Sequence, residues 1–210
     1  MYLKIKRILD FILSLIALII LFIPFVIIGI IIKIESKGPV FFKQERIGKN
    51  KTHFFIYKFR SMRTDAPKDM PTHLLNDATS YITKSGNFLR KTSLDELPQL
   101  INILKGEMSI VGPRPALWNQ DDLVAERDKY GANDVRPGLT GLAQVNGRDE
   151  LEIPVKAKFD GDYVEKISFI QDVKIILLTV VKIFKREGIV EGKKEEENKE
   201  EGKKEEWKKI

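Results

Sequence analysis

The chain of 210 residues has no cysteine and only two histidines, His53 and His73. Without a thiol there is no disulfide framework, no thiolate zinc site and no cysteine nucleophile, and two imidazoles are too few for a histidine cluster. Any metal chemistry must therefore use oxygen ligands. Charge is missing too: residues 11–32, FILSLIALIILFIPFVIIGIII, carry none over 22 positions, although charged residues make up 31% of the whole. A freely diffusing soluble protein does not fit that run.

As a straight helix the run would measure about 33 Å, enough for a hydrocarbon core of about 30 Å. A cleavable signal has a shorter apolar region that ends at small residues, whereas this one continues into Lys33, Ile34 and Glu35. Both flanks are basic, with Lys4, Lys6 and Arg7 before the run and Lys33, Lys37, Lys43 and Arg46 after it. Since Lys and Arg mark cytoplasmic flanks, neither end looks translocated. Pro24 lies inside the run, and a break there would leave limbs of 13 and 9 residues, neither long enough to cross alone. Two readings fit: a segment that dips in and returns to the same face, and a proline-kinked spanning helix. A buried core helix is the less natural third.

After the turn cluster Ser36-Lys37-Gly38-Pro39, the stretches at Val40-Phe41-Phe42 and His53–Phe59 read as short strands joined by a hairpin turn at residues 47–50. Residues 64–80, polar with Pro67 and Pro71, read as a loop. Between Asp172 and Phe184 the apolar residues Val173, Ile176, Leu177, Val180, Val181 and Phe184 recur at helical spacing. Packing against the core is the first expectation for that face, and lying on a membrane interface the second. Residues 185–210 hold nine basic and nine acidic residues and read as a solvated helix or disordered tail. The net charge of +6 thus belongs to residues 1–184. Beside a membrane segment, a basic domain points to anionic headgroups or phosphorylated substrates, and nucleic acid is not expected.

The densest stretch runs from Arg90 to Gly106, RKTSLDELPQLINILKG. Leu97, Leu100, Ile101 and Leu104 form one helical face, with Gly106 as its stop. Ser93 and Glu96 have capping-box spacing, which would place Asp95 and Glu96 in the first turn, although Pro98 implies a late start or a distorted turn. Adjacent carboxylates at a helix start are commonly just caps. Their company raises a second reading: Arg90 just before, Arg114 between Pro113 and Pro115, Arg136 before Pro137-Gly138, and Arg148 after Asn146-Gly147. Carboxylates for Mg²⁺ and loop-held arginines for a diphosphate are the parts of phosphoryl transfer. An aspartate can also attack phosphorus itself, dividing one transfer into two steps.

The runs KGPVFFKQERIGKN, FFIYKFRSMRTDA, LRKTSLDELPQLINILKGEMSIVGPRPAL and VRPGLTGLAQVNGR resemble the bacterial sugar transferase family, the small monotopic polyprenyl-phosphate phosphoglycosyl transferases. The resemblance covers residues 4–187. It implies a mixed α/β, mostly helical fold: a re-entrant helix-break-helix over residues 1–36 with its break near Pro24, a small cytoplasmic catalytic domain over 37–184 with amphipathic interfacial helices, and the tail. It also implies transfer of a sugar-1-phosphate from a UDP-sugar to a polyprenyl phosphate, such as undecaprenyl phosphate, with release of UMP. Asp95 would be the nucleophile and Glu96 its assistant, both close to a required Mg²⁺. Arg90 and Arg114 would hold phosphate, with Arg136 and Arg148 as lesser nucleotide contacts. Membrane lipids and downstream glycosyltransferases are the implied partners, and the cytoplasmic face of the bacterial inner membrane the implied location. One departure is Ile23, where small members often have serine before the proline. The competing classes are a membrane-bound glycosyltransferase that releases UDP and a non-catalytic membrane scaffold.

Overall fold

A computed structural model describes residues 2–67, 78–147 and 150–185. The chain opens with two helices, α1 (Tyr2–Ile20) and α2 (Phe22–Glu35), which meet at Leu21 with a bend of 62°. Among the described residues no single helix is long and apolar enough to cross a membrane, whereas this bent pair together meets that length and composition. The break falls three residues before the expected one, and the limbs are 19 and 14 residues rather than 13 and 9. Proline lacks the N–H that would reach the carbonyl four residues back, and its ring clashes with that carbonyl. For Pro24 the carbonyl is that of Ile20. Hence α1 ends there, and Pro24 lands in the first turn of α2, where an N–H has no intrahelical partner.

The buried positions of α1 are Lys6, Asp10 and Ser14, one per turn, while Leu3, Ile8, Phe11, Leu13 and Ile16 point outward. Its polar stripe faces the protein and its apolar surface faces away. Lys6 Nζ lies 2.6 Å from Asp172 Oδ2, which also accepts from the Tyr2 hydroxyl at 2.6 Å, and the Tyr163 hydroxyl is 2.8 Å from Asp172 Oδ1. Burial, reinforced by the Asp172 carboxylate, pushes the Tyr163 phenol above its ordinary range and keeps it a donor. Ser109 Oγ and the Ile110 N–H both donate to Asp10. Arg7 donates to the carbonyls of Ile103 and Leu104 at 2.6 and 2.9 Å, closing the end of a later helix. Lys6 and Arg7, two of the three basic residues before the apolar run, are therefore ties between α1 and the rest of the chain.

Strands β1 (Phe41–Ile47) and β2 (His53–Phe59) pair antiparallel from Phe41↔Phe59 to Ile47↔His53, so β1 starts one residue later and runs longer than expected. Of the expected 64–80 loop, residues 68–77 lie outside the described residues. Ala78–Tyr81 is instead a helical turn, α3, followed by α4 (Lys84–Lys91), whose start is capped by Thr83 accepting from the Gly86 N–H. Helix α5 (Gln99–Lys105) ends at Gly106, whose φ of 85° is the left-handed closure that favours glycine. Two further strands, β3 (Ser109–Val111) and β4 (Gly138–Thr140), pair parallel. Around them lie α6 (Asp121–Asp128), α7 (Leu142–Val145), α8 (Ile153–Glu165) and α9 (Phe169–Lys185). The result is a mixed, mostly helical fold.

Phe54 and Ile56 of β2 pack with Leu100, Ile103 and Met108, and Ala17, Leu18 and Leu21 from the bent pair cover this cluster. A second cluster joins Val111, Val145, Tyr163 and Ile175. For α9 the core-packing expectation holds for Ile176, which is partly buried against that second cluster, and not for most of the face. The helix buries Asp172 and Ile175, while Val173, Leu177, Val180 and Val181 are exposed, Leu177 by 61%. The Asp172 network sets this rotation, because drawing that carboxylate inward turns the neighbouring apolar side chains out.

Candidate active site

Asp95 and Glu96 sit on a single 3-10 turn, Leu94–Glu96, between α4 and α5, and each residue is 6% exposed. The expected capping box does not form. Ser93 adopts a left-handed conformation, φ 56° and ψ 16°, and its side chain makes no capping bond; its carbonyl accepts from the Glu96 N–H instead. Pro98 then fills the cap position of α5, which delays the helix to Gln99. The dyad thus lies one turn ahead of its helix. A non-glycine residue held left-handed beside two buried carboxylates is the kind of local strain that collects at functional sites.

Burying a carboxylate is costly unless it is paired, and Glu96 is paired twice. Lys58 Nζ on β2 lies 2.8 Å from Glu96 Oε1, and Arg114 brings one guanidinium nitrogen to 2.8 Å from that oxygen and the other to 3.4 Å from Oε2. Burial lowers the Lys58 ammonium below the usual lysine range; Glu96 and Asp95 pull it back up, while Arg114 and Arg46 push it down. Those influences put all five groups within one electrostatic neighbourhood. Arg114 is delivered by the loop after β3. The Pro113 carbonyl accepts from Gly138 N–H at 2.8 Å, Arg46 donates to the Pro115 carbonyl at 3.0 Å, and Ile47 N–H bonds Ala116 at 2.9 Å. Strand and hairpin together leave that loop little freedom.

For Mg²⁺, the described residues hold no group of three or more histidine or acidic side chains. Mg²⁺ is commonly held by one or two carboxylates plus substrate phosphates, which suits an ion arriving with a diphosphate. Both Glu96 oxygens face cations, so an ion held there would share them with Lys58 and Arg114. Asp95 and Glu96 remain the dyad's two candidates for holding such an ion.

Comparison with known proteins places residues 1–186 in the family described as bacterial sugar transferase. The chain belongs to that family. It is 43% identical over 159 residues to the uncharacterized sugar transferase EpsL of Bacillus subtilis (strain 168), covering 76% of this chain and 77% of that one. It is 43% identical over 196 residues to the exopolysaccharide production protein PSS of Rhizobium leguminosarum bv. phaseoli, covering 86% and 96%. The match to the UDP-glucose:undecaprenyl-phosphate glucose-1-phosphate transferase of Escherichia coli (strain K12) is 40% over 193 residues. That match takes 85% of this chain and 40% of the longer relative.

Of the residues singled out in this bacterial sugar transferase, the fold brings Arg114 onto Glu96 and sets Arg90, in the last turn of α4, immediately before the dyad's turn. Arg136 goes elsewhere: its Nε donates to the Gly106 carbonyl at 2.7 Å, at the end of α5 away from the dyad. Arg148 lies outside the described residues. Lys58 is the charged neighbour of the dyad that motif reasoning misses. Its signal is positional, since it shares the alternation of Phe54 and Ile56 and a lysine on a strand's buried face needs a partner.

Proposed function

We propose that this sugar transferase moves a sugar-1-phosphate from a UDP-sugar to a polyprenyl phosphate, undecaprenyl phosphate being the bacterial form, and releases UMP through an aspartyl-phosphosugar intermediate. The observation that carries this reading is the buried Asp95–Glu96 pair, with its second carboxylate neutralised by Lys58 and Arg114. An unpaired anion beside Asp95 would repel both the donor and the charge that develops in transfer; a paired one instead anchors cations where phosphate must sit. The name of the Escherichia coli relative supports this donor and acceptor class.

In the first step an Asp95 oxygen attacks the phosphorus that bears the sugar. An O–P bond forms, the bond from that phosphorus to the bridging oxygen breaks, and the electron pair leaves with UMP. In the second step a polyprenyl phosphate oxygen attacks the same phosphorus, the bond to Asp95 breaks, and the carboxylate is restored. Arg90 and Arg114 hold phosphate oxygens, and Lys58 keeps Glu96 charge-balanced. Asp95 and Glu96 would hold Mg²⁺ alongside the diphosphate, and the ion would supply charge compensation for the leaving nucleotide.

The bent pair and α9 support a reading of where the protein works. The outward apolar faces of α1, α2 and α9 suit burial in lipid, with the pair re-entrant and α9 at the interface on the cytoplasmic face of the bacterial cell membrane. There the enzyme would open glycan assembly for downstream glycosyltransferases.

The test is incubation of the full chain, in detergent, with a panel of UDP-sugars labelled at the sugar-bearing phosphate. Label should attach covalently before any lipid is added, UMP should appear, and EDTA should stop turnover until Mg²⁺ is restored. Asp95→Asn should carry no label. Release of UDP would instead indicate transfer at the sugar carbon, and undiminished turnover in the variant would remove Asp95 as nucleophile.

A further inference from the structure

Asn102 is fully buried on α5, and its side-chain amide is saturated by groups from outside its own helix. Its Oδ1 accepts from the Tyr57 N–H at 3.0 Å, and its Nδ2 donates to the Phe55 carbonyl and to Glu107 Oε2, both at 2.7 Å. The pair of bonds to β2 has a recognisable pattern. Accepting from one residue and donating to the residue two before it is what the C=O and N–H of a single residue on a neighbouring parallel strand do, here centred on Ile56. On its other edge β2 pairs with β1. One amide side chain thus stands in for a strand and locks β2 to α5 at a single register.

That lock lies between the two halves of the site. Tyr57 immediately precedes Lys58, and Asn102 lies on the helix that follows the Glu96 turn. The path from Lys58 through the backbone to Tyr57, across to Asn102, and back along α5 to Glu96 is closed by the 2.8 Å Lys58–Glu96 contact. Glu107 fixes the amide's orientation, since Nδ2 must face its carboxylate and Oδ1 must face the N–H.

We propose that Asn102 is a positioning residue for the transfer reaction: it sets the register of β2 against α5 so that the Lys58 ammonium meets Glu96. This rests on the reading of the Asp95 site given above. Displacement of a catalytic constellation by about 1 Å can cost about a hundredfold in rate. Asn102→Leu keeps the branching and heavy-atom count of the side chain and removes both strand bonds together with the one to Glu107. Glu107→Ala keeps the amide and only loosens it, so it serves if the leucine variant does not fold.

The experiment is a double-mutant cycle on full-length protein with Lys58→Met. It is read as single-turnover nucleotide release at saturating UDP-sugar, below the unfolding temperature of every variant. Asn102→Leu should slow turnover by about ten- to a hundredfold while half-saturation by the donor changes less than about twofold, with a smaller loss for Glu107→Ala. In the Lys58→Met background each should add little further loss, because the group they position is gone. Losses that multiply, or that track the folded fraction alone, would overturn the proposal. Detecting UMP and UDP separately keeps the two readings apart: UDP release or an absent adduct refutes the Asp95 reading, whereas multiplicative losses with UMP and adduct intact refute only the role of Asn102.

Discussion

Replacing Asp172 by asparagine should loosen the attachment of α1 to the rest of the chain. The Lys6 and Asp172 side chains are 10% and 8% exposed and 2.6 Å apart, and Asp10, the other acid near Lys6, stands at 3.9 Å. The variant therefore leaves a buried ammonium without its close partner and turns an amide N–H₂ toward at least one donor. Breaking a buried pair by removing one member costs about 3–5 kcal/mol. At about 2–4 °C per kcal/mol for a domain of this size, the midpoint of thermal unfolding should fall by about 6–20 °C. Intrinsic fluorescence of the detergent-solubilised protein reads this directly. Adding Lys6→Met should recover part of the loss, since the orphaned charge is removed while one of the two hydroxyls, Tyr2 or Tyr163, which bond different oxygens of Asp172, can still donate to the amide oxygen. A midpoint within about 2 °C of the parent, or a double variant less stable than both singles, would refute the reasoning.

Arg114→Lys keeps the charge but loses the two-nitrogen contact with Glu96, so single-turnover nucleotide release should fall by about tenfold or more with little change in unfolding temperature. An unchanged rate would show that only its charge matters. Leu177→Asp, on the outward face of α9, should weaken flotation with anionic liposomes while turnover in detergent is kept; unaltered flotation would argue against that face touching lipid. The absence of native cysteine makes topology simple to read. Lys4→Cys and Ser36→Cys should both react with an impermeant maleimide from the cytoplasmic side, and labelling from opposite sides would exclude a re-entrant pair.

Much of the site is legible in one short stretch. Asp95 and Glu96 are adjacent, Pro98 signals the delayed helix, and Arg114 stands between prolines that mark a fixed loop. The turn that presents the dyad is less legible, because Ser93 has the spacing of a cap yet adopts a left-handed backbone that only the surrounding packing can hold. Arg136 is hard to read for a related reason. A loop arginine beside proline and glycine suits a phosphate equally well as a helix end, and here the Gly106 carbonyl takes it. For α9, helical periodicity correctly identifies an apolar face but says nothing about where it points. A buried aspartate four residues into the helix decides that.

By itself the sequence determined those features whose physics acts over a few residues. The lack of thiols limits the chemistry, the uncharged run has a membrane's length, and the missing N–H of Pro24 demands a break within one turn. Tertiary structure alone decided which distant groups meet. Glu96 finds Lys58 from 38 positions away and Arg114 from 18, and Asp172 finds Lys6 across 166. A buried charge must be paired, but the requirement names no partner, and only packing brings one within 3 Å.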